Sequence, residues 1–177
     1  MTCFFKKVSF CGEGGKRMKL FIKRNTTDEE IGFYVYDDHE NIKYAVAVQA
    51  ESALRMMIQT LSGEPLAAIK YNTFVLNYFT VRCAGRFYAL IPCLNERFSF
   101  AIYGSTYRFM GSLLDGEFSM FSSDGETVMT QKKCWTPHGD GYELNISDES
   151  HELFLISAAL CADVFLTLGE TKAVLST

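Results

Sequence analysis

Apolar and polar residues alternate over much of the chain, as in Phe98-Ser99-Phe100-Ala101-Ile102 and Tyr142-Glu143-Leu144-Asn145-Ile146. A period of two turns one face of a strand toward a core and the other toward water. Such runs recur at a spacing of roughly ten residues with turn formers between them, the signature of an all-β sandwich or barrel. The pattern predicts strands over Leu20 to Arg24, Ile31 to Asp37, Lys43 to Gln49, Leu54 to Thr60, Leu66 to Tyr71 and Phe74 to Arg82. A second series covers Arg86 to Ile91, Phe98 to Tyr103, Thr106 to Met110, Phe118 to Ser122, Thr127 to Lys133 and Tyr142 to Ile146. Two of these, Lys43 to Gln49 and Leu54 to Thr60, are rich in Ala, Met and Gln and would also suit a helix. The connectors Asp37-Asp38-His39-Glu40-Asn41, Ser62-Gly63-Glu64-Pro65, Asp115-Gly116 and Ser123-Asp124-Gly125 supply what tight hairpins require.

The period changes after Ser147, where an acidic stretch leads into a continuous apolar run from Leu153 to Leu168. This predicts a helix over 149–168, with Ser147 or Asp148 accepting its first free amides and Gly169 stopping it. The run is shorter than the roughly 20 residues that cross a bilayer, and Asp163 interrupts it, so no transmembrane span is expected. A helix that is apolar around its whole circumference needs burial on every side, not a single sheet face to lie on. About a dozen strands provide that enclosure, since a can of roughly eleven strands holds a central helix. The expected fold is therefore mainly β: a closed antiparallel barrel of about twelve strands around a buried hydrophobic C-terminal helix. Its divisions are an N-terminal extension (1–19), the barrel domain (20–169) with central helix 149–168, and a C-terminal tail (170–177).

Composition narrows the function classes. With 177 residues, 48% of them apolar, the chain is one domain with a sizeable core, and a net charge of −4 argues against a nucleic-acid partner. Met1 to Lys7 lacks the apolar core of a secretory signal, which predicts a cytoplasmic protein, at most peripheral at a membrane. Cys3, Cys11, Cys83, Cys93, Cys134 and Cys161 form no CxxC pair and read as reduced thiols. The sequons at Asn25 and Asn145 then carry no meaning.

The order and spacing of several segments resemble the Tubby C-terminal-like superfamily, in particular its LURP-one-related group, which is related to phospholipid scramblases. The segments are Gly63-Glu64-Pro65-Leu66-Ala67-Ala68-Ile69, Tyr107-Arg108-Phe109-Met110-Gly111 and Phe118 to Val128 with Lys132-Lys133. Tyr142 to Ile146 and the apolar helix carrying Ala162-Asp163 complete the match. The resemblance covers roughly Leu20 to Leu168 and implies a twelve-stranded barrel around a buried C-terminal helix. Ser62 and Ser122 depart from the acidic turn residues common in related sequences, and Met1 to Lys19 has no counterpart. Tubby proteins bind phosphoinositide head groups through a basic patch, and no residue of this acidic chain is assigned to that ligand.

Candidate chemistry is sparse. Cys11-Gly12-Glu13-Gly14-Gly15-Lys16-Arg17 lacks the spacing of a nucleotide cradle and reads as a lead-in segment. Lys16, Arg17, Lys19, Lys23 and Arg24, with Lys6 and Lys7 before them, form a local cationic cluster, a candidate surface for anionic membrane. Acid gathers in Asp28-Glu29-Glu30, Asp37-Asp38 and Asp148-Glu149, so the molecule reads as electrostatically two-sided. Cys134 and His138 alone have metal-ligand spacing and lack two further ligands, so neither metal nor cofactor is expected. No GxSxG elbow is present. Trp135 beside Thr136-Pro137 reads as a loop anchor. Asp163, Thr167 and Glu170 recur at i, i+4, i+7 and define a polar stripe at the barrel mouth. The functional expectation is a non-enzymatic cytoplasmic binding or scaffold domain whose partner is an anionic phospholipid head group or another protein. The alternatives are an enzyme with a small-molecule pocket near Asp163 and a scramblase-like membrane-associated protein.

Overall fold

The computed structural model describes residues 17–27, 30–49, 54–73, 76–94, 97–112, 114–136 and 139–175; of 135, 136, 139, 140 and 169–175 it describes the backbone alone. Twelve strands follow one another: β1 (Met18–Arg24), β2 (Ile31–Tyr36), β3 (Ile42–Gln49), β4 (Arg55–Gln59), β5 (Pro65–Asn72), β6 (Tyr78–Cys83), β7 (Arg86–Leu94), β8 (Phe98–Tyr103), β9 (Arg108–Ser112), β10 (Glu117–Phe121), β11 (Thr127–Thr136) and β12 (Gly139–Ile146). Each pairs antiparallel with its neighbours in sequence, and β12 returns to β1 with Leu144 opposite Leu20, closing the barrel. Closure removes the free edges on which sheets aggregate. Register shifts in the β2–β3, β4–β5 and β10–β11 pairs add the local twist that bends a sheet round on itself.

A turn of 3-10 helix (Glu149–His151) leads into α1 (Glu152–Leu175), 24 residues long. From Phe154 to Val164 every residue is buried, so no side of this stretch faces solvent. The helix lies nearest β5 and β6, whose inward residues include the small Ala67 and Cys83. Its own Ala158, Ala159 and Ala162 are small as well, which suits close approach. Aliphatic side chains such as Leu20, Ile58 and Ile146 share the remainder of the lumen with a group of aromatics. Phe98 packs on Phe100, Phe109 and Phe118 and stacks on Phe165 of the helix, centroids 5.2 Å apart. Glu149–Leu168 is long and apolar enough to cross a membrane, and 61% of it is buried within the barrel. Drawing it into a bilayer would empty the lumen that it fills.

Because the strands alternate in direction, the barrel has two distinct ends. The helix enters at the end carrying the β2–β3, β4–β5, β6–β7, β8–β9 and β10–β11 turns, and emerges at the other. The β6–β7 turn is a two-residue hairpin in which Ala84 has φ +48° and Gly85 φ +72°. Both central residues of such a turn require positive φ, a conformation costing an L side chain about 1 kcal/mol. Ala84→Gly is therefore expected to raise the unfolding free energy by up to about 1 kcal/mol in a denaturant titration, less the extra freedom glycine brings to the unfolded chain.

Five expectations need correction. Gly169 does not stop the helix, which runs on to Leu175, so most of the expected tail belongs to α1. One helical glycine costs about 1 kcal/mol, and the good formers Glu170, Lys172, Ala173 and Leu175 come after it with no proline. Neither Ser147 nor Asp148 caps an amide: the Ser147 hydroxyl donates to the carbonyls of Thr127 and Val128, and the Asp148 carboxylate is taken by other side chains. Trp135 lies in β11 opposite Asp140, because the long β11–β12 ladder continues almost to Pro137. The barrel begins at Met18, inside the stretch assigned to the extension, and β6 begins at Tyr78, after the expected Phe74, which lies outside the described residues.

Candidate functional site

Two members of the expected polar stripe, Asp163 and Thr167, lie together at the end where α1 emerges. Arg24, the last residue of β1, donates from Nη2 to Asp163 Oδ2 at 3.1 Å and to Thr167 Oγ1 at 3.4 Å. Thr167 Oγ1 donates to the Asp163 carbonyl at 3.0 Å. Asp163 is 6% exposed, and a carboxylate so placed needs a cation or several donors. The guanidinium also lies 5.4 Å from the Phe33 ring. Beside it opens a cleft of about 470 Å³ with largely apolar walls, among them Ile31, Phe33, Val48 and Leu168. This arrangement ties β1 to α1 and commits the Asp163 carboxylate to Arg24. Glu170 lies on the continuing helix backbone, its side chain outside the described residues.

Of the described residues in the cationic cluster read from sequence, Lys19 and Lys23 share the outer face of β1 and Arg24 turns away from them to the mouth, as alternation along a strand demands. Lys19 Nζ lies 3.1 Å from Glu143 Oε1, and the Asn145 amide together with Lys19 holds that carboxyl below its ordinary value despite partial burial. Lys23 lies 4.5 Å above the Tyr36 ring. Arg17 is exposed, and Lys16 lies outside the described residues.

A different cationic surface is assembled by strand pairing. Strands β3 to β9 contain Lys43, Arg55, Lys70, Arg82, Arg86 and Arg108 and no acidic residue. In the β4–β5 register Arg55 stands directly opposite Lys70, and Lys70 stands opposite Thr80 of β6. Arg82, paired with Ala68, is the diagonal neighbour of Lys70. All three cations are exposed and share the outer face. They border a cleft of about 520 Å³ floored by Ala47, Met57 and Ala68, with Gln49, Gln59 and Thr80 around it and no acid among the described residues that line it. Among the described residues none of the three has an ion-pair partner; Arg82 instead lies over the Phe87 ring at 5.7 Å. Like charges directly opposite, with β-carbons about 5 Å apart, disfavour folding. An anion seated between them removes that repulsion and gains charge-assisted hydrogen bonds.

A second cluster, which the sequence did not single out, sits where the helix enters. Tyr107 donates to Asp148 Oδ2 at 2.5 Å, Ser150 Oγ donates to Asp148 Oδ1, and His151 Nδ1 lies 3.0 Å from Asp148 Oδ2. On the other side of the ring Arg86 Nη1 approaches His151 Nε2 at 3.2 Å. Guanidinium only donates, so Nε2 accepts and Nδ1 carries the hydrogen that Asp148 receives. Serine, histidine and aspartate lie together here but in the wrong order for a nucleophile relay. Ser150 and Asp148 share one ring nitrogen, and the other is already occupied by a cation. Partial burial pushes the Asp148 carboxyl up, yet the hydroxyls of Ser150 and Tyr107 and the imidazole outweigh it and leave the pKa below its ordinary value. Burial, then Asp148, drives the Tyr107 hydroxyl strongly upward. The network pins the helix start to the β8–β9 connection and opens onto a pocket of about 480 Å³ lined by Arg86, Tyr88, Tyr107 and His151.

Asp37, Asp38 and His39 come together at the exposed β2–β3 turn. Asp37 Oδ1 accepts the amides of His39 and Asn41, so that carboxylate holds the turn, and donation by Asn41 keeps its pKa low. Cys83, Cys93, Cys134 and Cys161 are free thiols; Cys3, Cys11 and His138 lie outside the described residues. Comparison with protein-family models, curated proteins and solved structures finds no match for this chain.

Proposed function

We propose that the protein is a non-enzymatic binding domain that takes the phosphate-bearing head group of an anionic lipid in the outer cleft formed by Arg55, Lys70 and Arg82. The carrying observation is that two cations stand directly opposite each other, with a third on the diagonal and no ion-pair partner for any of them among the described residues, in a protein whose net charge is −4. Charge so concentrated against the overall balance is a ligand-facing arrangement. Arginine and lysine are the side chains that grip phosphate oxygens, and Thr80, Gln49 and Gln59 add neutral hydrogen-bonding groups around them. The resemblance to the Tubby C-terminal-like superfamily points the same way, since its Tubby members bind phosphoinositide head groups through basic residues. Membership of that superfamily is part of this proposal, supported by the segments from Gly63 to Asp163 that resemble it and compatible with the twelve-stranded barrel and its central helix. The cytoplasmic face of a membrane is the corresponding location. The enzyme reading near Asp163 loses support because that carboxylate is committed to Arg24.

The test is calorimetric titration with inositol hexakisphosphate, a soluble polyphosphate. Arg55→Gln and Lys70→Gln are each expected to weaken binding about fivefold, the effect of about 1 kcal/mol per cation. Lys19→Gln, on the β1 face, should leave it unchanged. Absence of measurable heat with the wild-type protein at low salt would end the proposal.

A further inference from the structure

We infer that the lipid is met in the plane of a bilayer, with the barrel lying on its β4–β8 wall and Phe87 and Tyr103 as the residues that enter the interface; this rests on the head-group reading. Phe87 stands opposite Arg82 in the β6–β7 register, so the outer face runs without interruption from the cationic cleft onto an aromatic. Tyr103 pairs with Ala89, two residues along β7 from Phe87, which makes the two aromatics diagonal neighbours on that face. Their exposures are 52% and 63%, high for large rings on a sheet. No acid lies in the strands beneath them. Aromatics with an apolar body beside cations are the composition that settles at the head-group level of an anionic membrane. The cations meet the phosphates while the rings reach the acyl boundary.

A freely diffusing phosphate compound would engage the cleft and have no use for the rings, and this separates the two sources of the same chemistry. The experiment is co-sedimentation with vesicles of phosphatidylcholine and phosphatidylserine, beside titration with inositol hexakisphosphate, for wild type and the double variant Phe87→Ser/Tyr103→Ser. Both substitutions are at exposed positions, and a thermal melt verifies that the barrel is intact. Vesicle binding is expected to fall about tenfold, the loss of two partly inserted rings, with polyphosphate binding unchanged in Tyr103→Ser and changed less than about twofold in the double variant, where Arg82 loses only its contact with the Phe87 ring. Leu114→Glu, at the far end of the barrel where Leu114 is 99% exposed, should sediment as wild type. Tyr103→Ser alone should give a smaller drop in the same direction. Wild-type sedimentation by the double variant overturns the inference, and so does a parallel loss of polyphosphate binding, which would place the rings in the head-group cleft. Loss of vesicle binding by Leu114→Glu overturns it too, in favour of docking by the barrel end. If the wild-type protein binds polyphosphate but not vesicles, this inference fails alone; if it binds neither, the head-group reading fails with it.

Discussion

Phe109→Ala is expected to lower the unfolding free energy by about 4 kcal/mol, seen as a shift of the urea midpoint at unchanged slope. Phe109 is 1% exposed and lies on the inner face of β9. Its ring stacks on Phe118 with centroids 5.4 Å apart and meets Phe100 at 5.1 Å and Phe98 at 6.3 Å. Truncation removes the transfer energy of a fully buried ring and three aromatic contacts of about 0.5–1.5 kcal/mol each. The neighbours are poorly placed to collapse into the gap. Phe118 is already pressed against the backbone at Gly111, where an added β-carbon would collide with the Phe118 ring and with the Glu117 carbonyl oxygen. A loss below about 1.5 kcal/mol would mean that this side of the lumen is loosely filled, because well-packed large-to-small changes cost more.

That aromatic half of the lumen also shows what the sequence reveals and what it conceals. All twelve strands and the central helix were legible, because alternation and an all-round apolar run are local patterns. The charged face was not. Arg55, Lys70 and Arg82 are separated by a dozen or more residues and sit one to a strand, so no window of sequence shows them together. They meet through the β4–β5 and β5–β6 registers. Lys16 to Arg24 looked like the surface because those cations lie close together in sequence, yet alternation sends Arg24 to Asp163 and leaves Lys19 to Glu143. A signal was available: the strands from Ile42 to Ser112 hold no acidic residue. The helix end misled for a related reason. A lone glycine stops a helix only when the residues after it cannot remain helical, and Glu170 to Leu175 can.

Asp148→Ala is expected to cost about 2–3 kcal/mol at neutral pH and to change the shape of the stability profile at both extremes. The carboxylate accepts from Tyr107, Ser150 and His151 at once, so its loss leaves a half-buried tyrosine hydroxyl without its strongest acceptor and leaves the histidine ring held to the β8–β9 connection by Tyr107 alone. A stranded donor of this kind costs about 1–3 kcal/mol, toward the lower figure where water reaches it. In the native protein Asp148 titrates below its ordinary value. Its contribution is therefore complete above the unfolded carboxylate pKa of about 4 and disappears as pH falls through the lower folded value. Tyr107 is shifted the opposite way, so its neutral hydroxyl favours the folded state below the unfolded tyrosine pKa of about 10, and that contribution declines as pH rises further. Tyr44, pushed up to about 12 by burial and by Glu152, adds to the alkaline decline. Thermal melts from about pH 3 to about pH 11 should therefore show a wild-type plateau with two falling edges. In the variant the acid edge becomes shallower, with Asp37 and Glu143 still supplying part of it, and the alkaline edge becomes shallower because Tyr107 loses the contribution of Asp148. Tyr44→Phe should make the alkaline edge shallower, the Tyr107 part remaining, and leave the acid edge untouched. Variant and wild-type curves that remain parallel over the whole range would show that the Asp148 network does not couple the helix start to the barrel.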